Sequence, residues 1–364
     1  MPGAPRGRGV AGNPPNRFDR LHLEHDPESG DPEELAVSPG TEYLQVRSRS
    51  ALSSNDSPDL PFDYSVNPYS GCEHGCAYCY ARPTHEYWGF SAGLDFETRI
   101  LVKQDVPELL RKELSSRRWK PAVINFSGVT DCYQPVEKRL QLTRRCVEVL
   151  LEFRNPFFII TKNRLVVRDG DLLAEAARLG LVAVLLSVTT LDGELSGKLE
   201  PRASRPGARL EAVSALAGLG VPVGVNAAPL LPGLTDHELP AILEAGVQAG
   251  AKFAHYSVAR LPGAVEGVFT EWLERHAPGH KDKVLRRIRE TQGGKASSSK
   301  FGERFRGQGI HAETLRALFE STRRRLNLDA GRPQLRTDLF QRPNRMSHPG
   351  PDVDFFGVPS EVPD

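Results

Sequence analysis

Cys72, Cys76 and Cys79 fall within eight residues, spaced Cys-x3-Cys-x2-Cys with Tyr78 just ahead of the third thiol. A cubane iron–sulfur cluster normally takes four cysteines. Three leave one iron open, and an open metal position is where catalytic centres receive a substrate or cofactor. The competing reading is structural zinc, closed by His74 or His85. Zinc sites of that kind pair two close ligands with a second, distant pair, and no second Cys or His pair stands at that spacing here. His74 lies between two of the thiols and is badly placed to close the same tetrahedron. The spacing favours a cluster.

The remaining cysteines are Cys132 and Cys146. Five cysteines, three of them in one loop, do not make a disulfide framework, and a reducing cytoplasm fits. No apolar run approaches a membrane span, so no membrane is expected. Arg6 and Arg8 are not followed by the apolar segment of a secretory signal. With 364 residues, 39% hydrophobic and 26% charged, the chain reads as globular and long enough for an α/β barrel with extensions. Lys+Arg 47 against Asp+Glu 46 points to no partner globally. From Lys281 to Arg345, however, 17 Lys/Arg face 7 Asp/Glu. That segment is either a solvated helical surface or a basic face for nucleic acid.

The elements that must position the cysteines alternate. Residues 1–60 are rich in Gly, Pro, Ser and Asp and are expected to be largely disordered. Phe62 to Tyr69 predicts a strand running into the cysteine loop, and Arg99 to Val102 a short extra strand. A helix then starts at Asp105 with Pro107 in its first turn. Further strands are predicted over Ala122–Phe126, Phe157–Thr161, Val182–Val188, Val223–Ala228 and Phe253–Val258. Between them lie helices over Glu137–Phe153, Asp171–Leu179 and Ala208–Leu219, and one opened by the capping box Thr235-x-x-Glu238. Six strand–helix units with apolar strands imply a parallel sheet covered by helices, open or closed as a barrel. Function then sits at the carboxyl ends of the strands, where the cysteine loop falls. Residues 61–263 form this core, 264–343 a mainly helical accessory segment and 344–364 a loose tail.

Other strand ends carry polar groups. Thr130 and Asp131 follow the second strand and are placed to meet a cofactor amine, or else to form an Asx-type turn. Lys162 closes the third strand, to pair a carboxylate or simply face water. Ser187 ends the fourth, facing a ribose or carboxylate, or packing. Glu200-Pro-Arg202 with Arg205 is either an anion subsite or a loop salt bridge. Phe301, Phe305 and Phe319 interleave with arginines, for nucleic acid or as anchors to the core.

Cys-x3-Cys-x-aromatic-Cys after a first strand, followed by these units, resembles the radical S-adenosylmethionine superfamily over residues 62 to 260. The resemblance implies a partial (β/α)6 TIM-type barrel with a C-terminal helical extension. It implies a 4Fe–4S cluster on Cys72, Cys76 and Cys79, whose open iron chelates S-adenosylmethionine. It also implies an external one-electron reductant of flavodoxin or ferredoxin type, and reductive cleavage of S-adenosylmethionine to a 5′-deoxyadenosyl radical. Thr130, Asp131, Lys162 and Ser187, with Tyr78, further resemble the spore photoproduct lyase branch, where the matching residues lie near the cofactor. In that branch a hydrogen-returning thiol sits three positions before the aspartate. Gly128 occupies that place here, and Cys132, just after Asp131, is either a substitute hydrogen donor or a small semi-buried packing residue. The expected function is a radical enzyme on nucleic acid, repair-like or base-modifying. The alternatives are a peptide or small metabolite as substrate, or a non-catalytic metal-binding protein.

Overall fold

The apolar runs become strands because each is buried on both faces; in Val182–Ser187 all six residues are buried. The computed structural model describes residues 5–18, 40–60, 62–328 and 333–343. Its strands are β1 (Glu42–Gln45), β2 (Leu52–Ser54), β3 (Tyr64–Val66), β4 (Tyr69–Ser70), β5 (Arg99–Val102), β6 (Ile124–Phe126), β7 (Phe157–Thr161), β8 (Val182–Ser187), β9 (Val223–Leu230) and β10 (Phe253–Val258). The main sheet runs β10-β9-β8-β7-β6-β3-β2. Its six strands β3 and β6 to β10 are parallel, and β2 pairs antiparallel to β3 at the edge. This is the partial (β/α)6 barrel. A second sheet, β1-β5-β4, lies beside it.

Helices α1 (Asp95–Thr98), α2 (Val106–Ser115), α3 (Glu137–Leu140), α4 (Leu142–Glu152), α5 (Gly170–Arg178), α6 (Gly193–Leu199), α7 (Pro206–Gly218) and α8 (Leu239–Gln248) connect and cover the strands. The C-terminal extension is helical: α9 (Val265–His276), α10 (Lys281–Thr291) and α11 (Gly309–Arg325). Phe319 of α11 packs on Tyr256 of β10 at 4.7 Å, so it is an anchor to the core.

Four expectations change. The helix over Glu137–Phe153 breaks at Gln141, which takes φ +54° between α3 and α4. The buried Glu137 carboxylate accepts from Thr143 N at 3.0 Å and Arg144 N at 3.3 Å, capping the start of α4. Tyr69 Oη, at 2.5 Å, holds the same carboxylate. The capping box does not form: Thr235 makes no side-chain cap. Glu238 accepts instead from Thr190 Oγ1 and Leu191 N, both at 2.6 Å. The strand over Phe62–Tyr69 divides into β3 and β4, which belong to different sheets. Finally, the described parts of the N-terminal stretch are ordered. They carry β1 and β2, and Gly9 N and Arg8 Nη1 donate to Glu97 at 3.0 Å each. Residues 19–39 and the tail from 344 lie outside the described residues.

Candidate functional site

The cysteine loop leaves β4 at the carboxyl end of the barrel and is held from three sides. Gly75 takes φ +67°, and a Cβ there would stand 2.6 Å from Glu97 Oε2, so only glycine lets the loop close on that carboxylate. Glu97 pairs with Arg82 at 2.5 Å, both fully buried, and Arg82 also donates to the Cys76 carbonyl at 2.9 and 3.0 Å. On another side Glu73 accepts from Val136 N at 2.7 Å and pairs with Arg202 at 3.0 Å. Arg202 therefore serves a loop salt bridge.

Asp131 gathers three elements. Its carboxylate accepts from Thr161 Oγ1 at 2.7 Å, Tyr133 N at 2.9 Å and Lys162 N at 2.8 Å. His74 Nδ1 lies 3.4 Å away. Asn163 Oδ1 accepts from Leu165 N, so its Nδ2 donates to His74 Nε2 at 3.1 Å and the remaining proton is on Nδ1, towards Asp131. Burial lowers the His74 pKa and keeps the ring neutral. His74 is thus turned to Asp131 and Asn163, away from the role of a fourth ligand. Thr130 Oγ1 is likewise engaged, donating to the Gly71 carbonyl at 2.6 Å.

Behind the loop lies a buried charged cluster. Glu200 accepts from Tyr78 Oη and Arg209, and lies 3.3 Å from Lys162 Nζ. Thr189 Oγ1 donates to the same carboxylate at 2.7 Å. Burial alone would raise the Glu200 pKa; Arg209, then Lys162, outweigh it and hold the carboxyl well below the usual range. Lys162 Nζ also donates to the Ala228 carbonyl at 2.9 Å and sits 5.8 Å over the Tyr78 ring. Sequence reasoning named Glu200 but missed Arg209, which looks like a surface residue of a helix. Its signal was the Glu-Pro-Arg run just upstream.

A row of polar side chains crosses the strand ends. Asn226 Nδ2 donates to Ser187 Oγ at 3.2 Å, and Asn226 Oδ1 pairs with His255 Nδ1 at 3.2 Å. These three residues are neighbours in register on β8, β9 and β10. All of them face a cavity of about 810 Å³, together with Cys72, Cys76, Cys79, Tyr78, Thr130, Asp131 and Lys162. Its mouth is made by residues 55–60 and 301–306. There Arg260 lies 4.6 Å over the Tyr80 ring, and Arg304 lies 5.0 Å over Phe301 and 4.9 Å over Phe305. Arg304 also pairs with Asp59 at 2.7 Å. Phe301 is 57% exposed.

The radical SAM superfamily model matches residues 66–246. An uncharacterised protein of Mycobacterium tuberculosis (strain ATCC 25618 / H37Rv) is 38% identical over 256 residues, covering 69% of this chain and 74% of its own. The chain belongs to the radical SAM superfamily. An uncharacterised protein of Methanocaldococcus jannaschii is 25% identical over 237 residues, 65% of this chain and 84% of its own. Among solved structures, a spore photoproduct lyase mutant with bound AdoMet and dinucleoside spore photoproduct aligns with a TM-score of 0.54. It is 16% identical and covers 78% of this chain and 79% of that one, a likeness of fold.

As a radical SAM protein the chain is an enzyme that uses a 4Fe–4S cluster and S-adenosylmethionine, with an external reductant. The donor set fits. The three thiols are free and open on one cavity. A mononuclear ion needs ligands that converge on a point, and no three His, Cys, Asp or Glu side chains among the described residues do so. A cubane places each thiolate on a different iron. No helix among the described residues is long and apolar enough to cross a membrane.

Cys132 takes the position of a packing residue. It is 0% exposed, lies in the hydrophobic core and does not line the cavity. The turn after β6 is the reason. Ser127 takes φ +83° and Gly128 φ +126°, and Ser127 Oγ accepts from Cys132 N at 3.4 Å, folding the thiol inward. Cys146 of α4 is buried in the same core. Arg323 to Arg325 end α11 outside the cavity, with Arg325 paired to Glu244.

Proposed function

We propose that this radical SAM enzyme acts on nucleic acid, as a repair-like lyase or a base-modifying enzyme, with Cys72, Cys76 and Cys79 as the cluster ligands. The observation that carries the substrate reading is the mouth of the cavity. The exposed Phe301, with Arg304 over its ring, shares the rim with Arg260 and Arg306, which combines a stacking face with positive charge beyond the Arg304–Asp59 pair. Single-stranded or extruded bases are recognised by that combination.

When bound by Cys72, Cys76 and Cys79, a 4Fe–4S cluster would supply the one-electron reduction that cleaves S-adenosylmethionine. The chain's residues do the rest. Ser187 would face the bound cofactor's polar groups, with Lys162 lining the same cavity while its ammonium is held by Thr189, Ala228 and Glu200, and Tyr78 backs the loop through Glu200. Thr130 and Asp131 shape the cofactor's bed by fixing the loop and the β6 and β7 ends, since Thr130 Oγ1 donates to the Gly71 carbonyl and the Asp131 carboxylate already accepts from Thr161 and Lys162. The buried strand-end layer keeps water from the radical. Gly128 leaves open space where the lyase branch keeps its thiol, so hydrogen return by a cysteine at that position is not available.

The test is anaerobic incubation of the reconstituted protein with S-adenosylmethionine and damaged or undamaged oligonucleotides. The expected results are salt-dependent binding and an oligonucleotide-dependent product, seen as a change in mass for base modification or as a chromatographic shift at unchanged mass for lyase repair of a photodimer. Absence of binding at low salt, with turnover of a peptide or metabolite instead, would overturn the nucleic-acid reading.

A further inference from the structure

A second recess, of about 640 Å³, shares no lining residue with the cavity. Its floor touches the cysteine loop twice. Asn163, which lines the recess, donates to His74 Nε2 at 3.1 Å. Pro135 lines it too, and its neighbours Gln134 and Val136 bond Glu73 at 3.0 and 2.7 Å. His74 is two residues from both Cys72 and Cys76, so its Cα lies at most about 7.6 Å from either. The recess therefore reaches the loop from a side other than that of the cavity.

Its charge is one-sided. Lys138 and Arg164 line it and are exposed, and no ion pair engages either among the described residues. Arg168 is paired inward with Glu137 and Asp169 at 2.7 and 2.8 Å. Arg139, next to Lys138, is also exposed, and Glu211 is the one acid of the lining. A cationic recess beside the redox centre complements an acidic protein.

We propose that this recess is the docking surface for the reductant, a small acidic one-electron carrier protein of the flavodoxin class. The proposal rests on Cys72, Cys76 and Cys79 holding the cluster. One electron leaves the reduced flavin and enters the oxidised cluster; the carrier is oxidised by one electron, the cluster is reduced by one, and no covalent bond forms or breaks. Lys138 and Arg164 steer and orient the carrier.

The experiment follows bleaching of the cluster's visible absorption in the reconstituted holoprotein. Reduced flavodoxin and dithionite are compared on the wild type, a Lys138→Glu/Arg164→Glu variant and a control, Arg286→Glu, on the exposed face of α10. At low ionic strength flavodoxin is expected to reduce the double variant at least about tenfold more slowly than the wild type. The gap should narrow as salt rises, because the contribution is screened. Dithionite should reduce all three proteins alike, which shows that the variant is folded and loaded, and the control should match the wild type with flavodoxin. Equal flavodoxin rates in the wild type and the double variant, with normal dithionite bleaching, overturn the docking surface alone. A wild type that shows no cluster absorption to bleach overturns the cluster assignment, and the docking proposal with it.

Discussion

The floor and the mouth of the cavity are built on opposite principles. At the floor, charge is buried and every partner is assigned. Arg82 meets Glu97, while Glu200 takes Tyr78, Thr189 and Arg209 with Lys162 beside it, and Asp131 ties two strand ends to the cysteine loop. At the mouth, side chains stay partly solvated and stack on one another, and Phe301 stands in water. The floor suits chemistry in which a cofactor must be held in one place. The mouth suits recognition, because it comes from residues 55–60 and 301–306, outside the strand–helix repeat. Initiating chemistry and substrate choice are thereby separable within one cavity.

The floor is the place to break. Glu200→Gln leaves Arg209 buried without its counter-charge, and removing one member of such a pair costs about 3–5 kcal/mol. Thermal unfolding should show a large loss, and Tyr78 should lose its anchor. An unchanged melting temperature would mean that the network is not what holds the floor.

The packing behind the cysteine loop should respond to acid. His85 packs between Phe90 and Phe96, at ring distances of 5.2 and 5.6 Å, and burial lowers its pKa to about 4 from the ordinary 6.5. The unfolded chain binds the proton first, so stability present above pH 6.5 falls as pH drops towards 4, by about 3 kcal/mol, and this residue adds no further loss below that. His85→Phe should flatten the stability profile in that window. A profile identical to the wild type would contradict the assignment.

The mouth should behave differently. Phe301→Ala/Arg306→Ala removes a stacking face and an exposed cation of the same rim. Stacking contributes about 1–3 kcal/mol per base, so oligonucleotide affinity should fall about tenfold or more. Deoxyadenosine formation without substrate should stay near the wild-type rate. Loss of both together would erase the distinction between the two regions. The smallest effect is expected for Cys132→Ala, about 1 kcal/mol of stability with product formation intact. Accumulation of unquenched or altered product would instead return a hydrogen-donor role to that thiol.

The two regions also differ in how far the sequence disclosed them. The six parallel strands were legible because continuous apolar runs alternate with amphipathic helices, and the cysteines were legible through their spacing. What stayed hidden depends on contacts distant in sequence. The break at Gln141 is stabilised by Glu137 held to Tyr69, 68 residues earlier. Arg209 reads as a helix-surface residue until Glu200 is placed beside it. Cys132 follows the site motif, yet the positive φ angles at Ser127 and Gly128 turn it inward. The mouth joins Asp59 to Gly302 and Arg304 across some 240 residues, a contact with no local signature.

The central claim is that the three-cysteine floor initiates radical chemistry whatever the mouth admits. The direct measurement is 5′-deoxyadenosine formation by anaerobically reconstituted protein given S-adenosylmethionine and dithionite, with Cys76→Ala alongside. The wild type should yield 5′-deoxyadenosine and the variant essentially none. A wild type that binds iron and sulfide but yields no 5′-deoxyadenosine, or a variant that matches it, would contradict the claim.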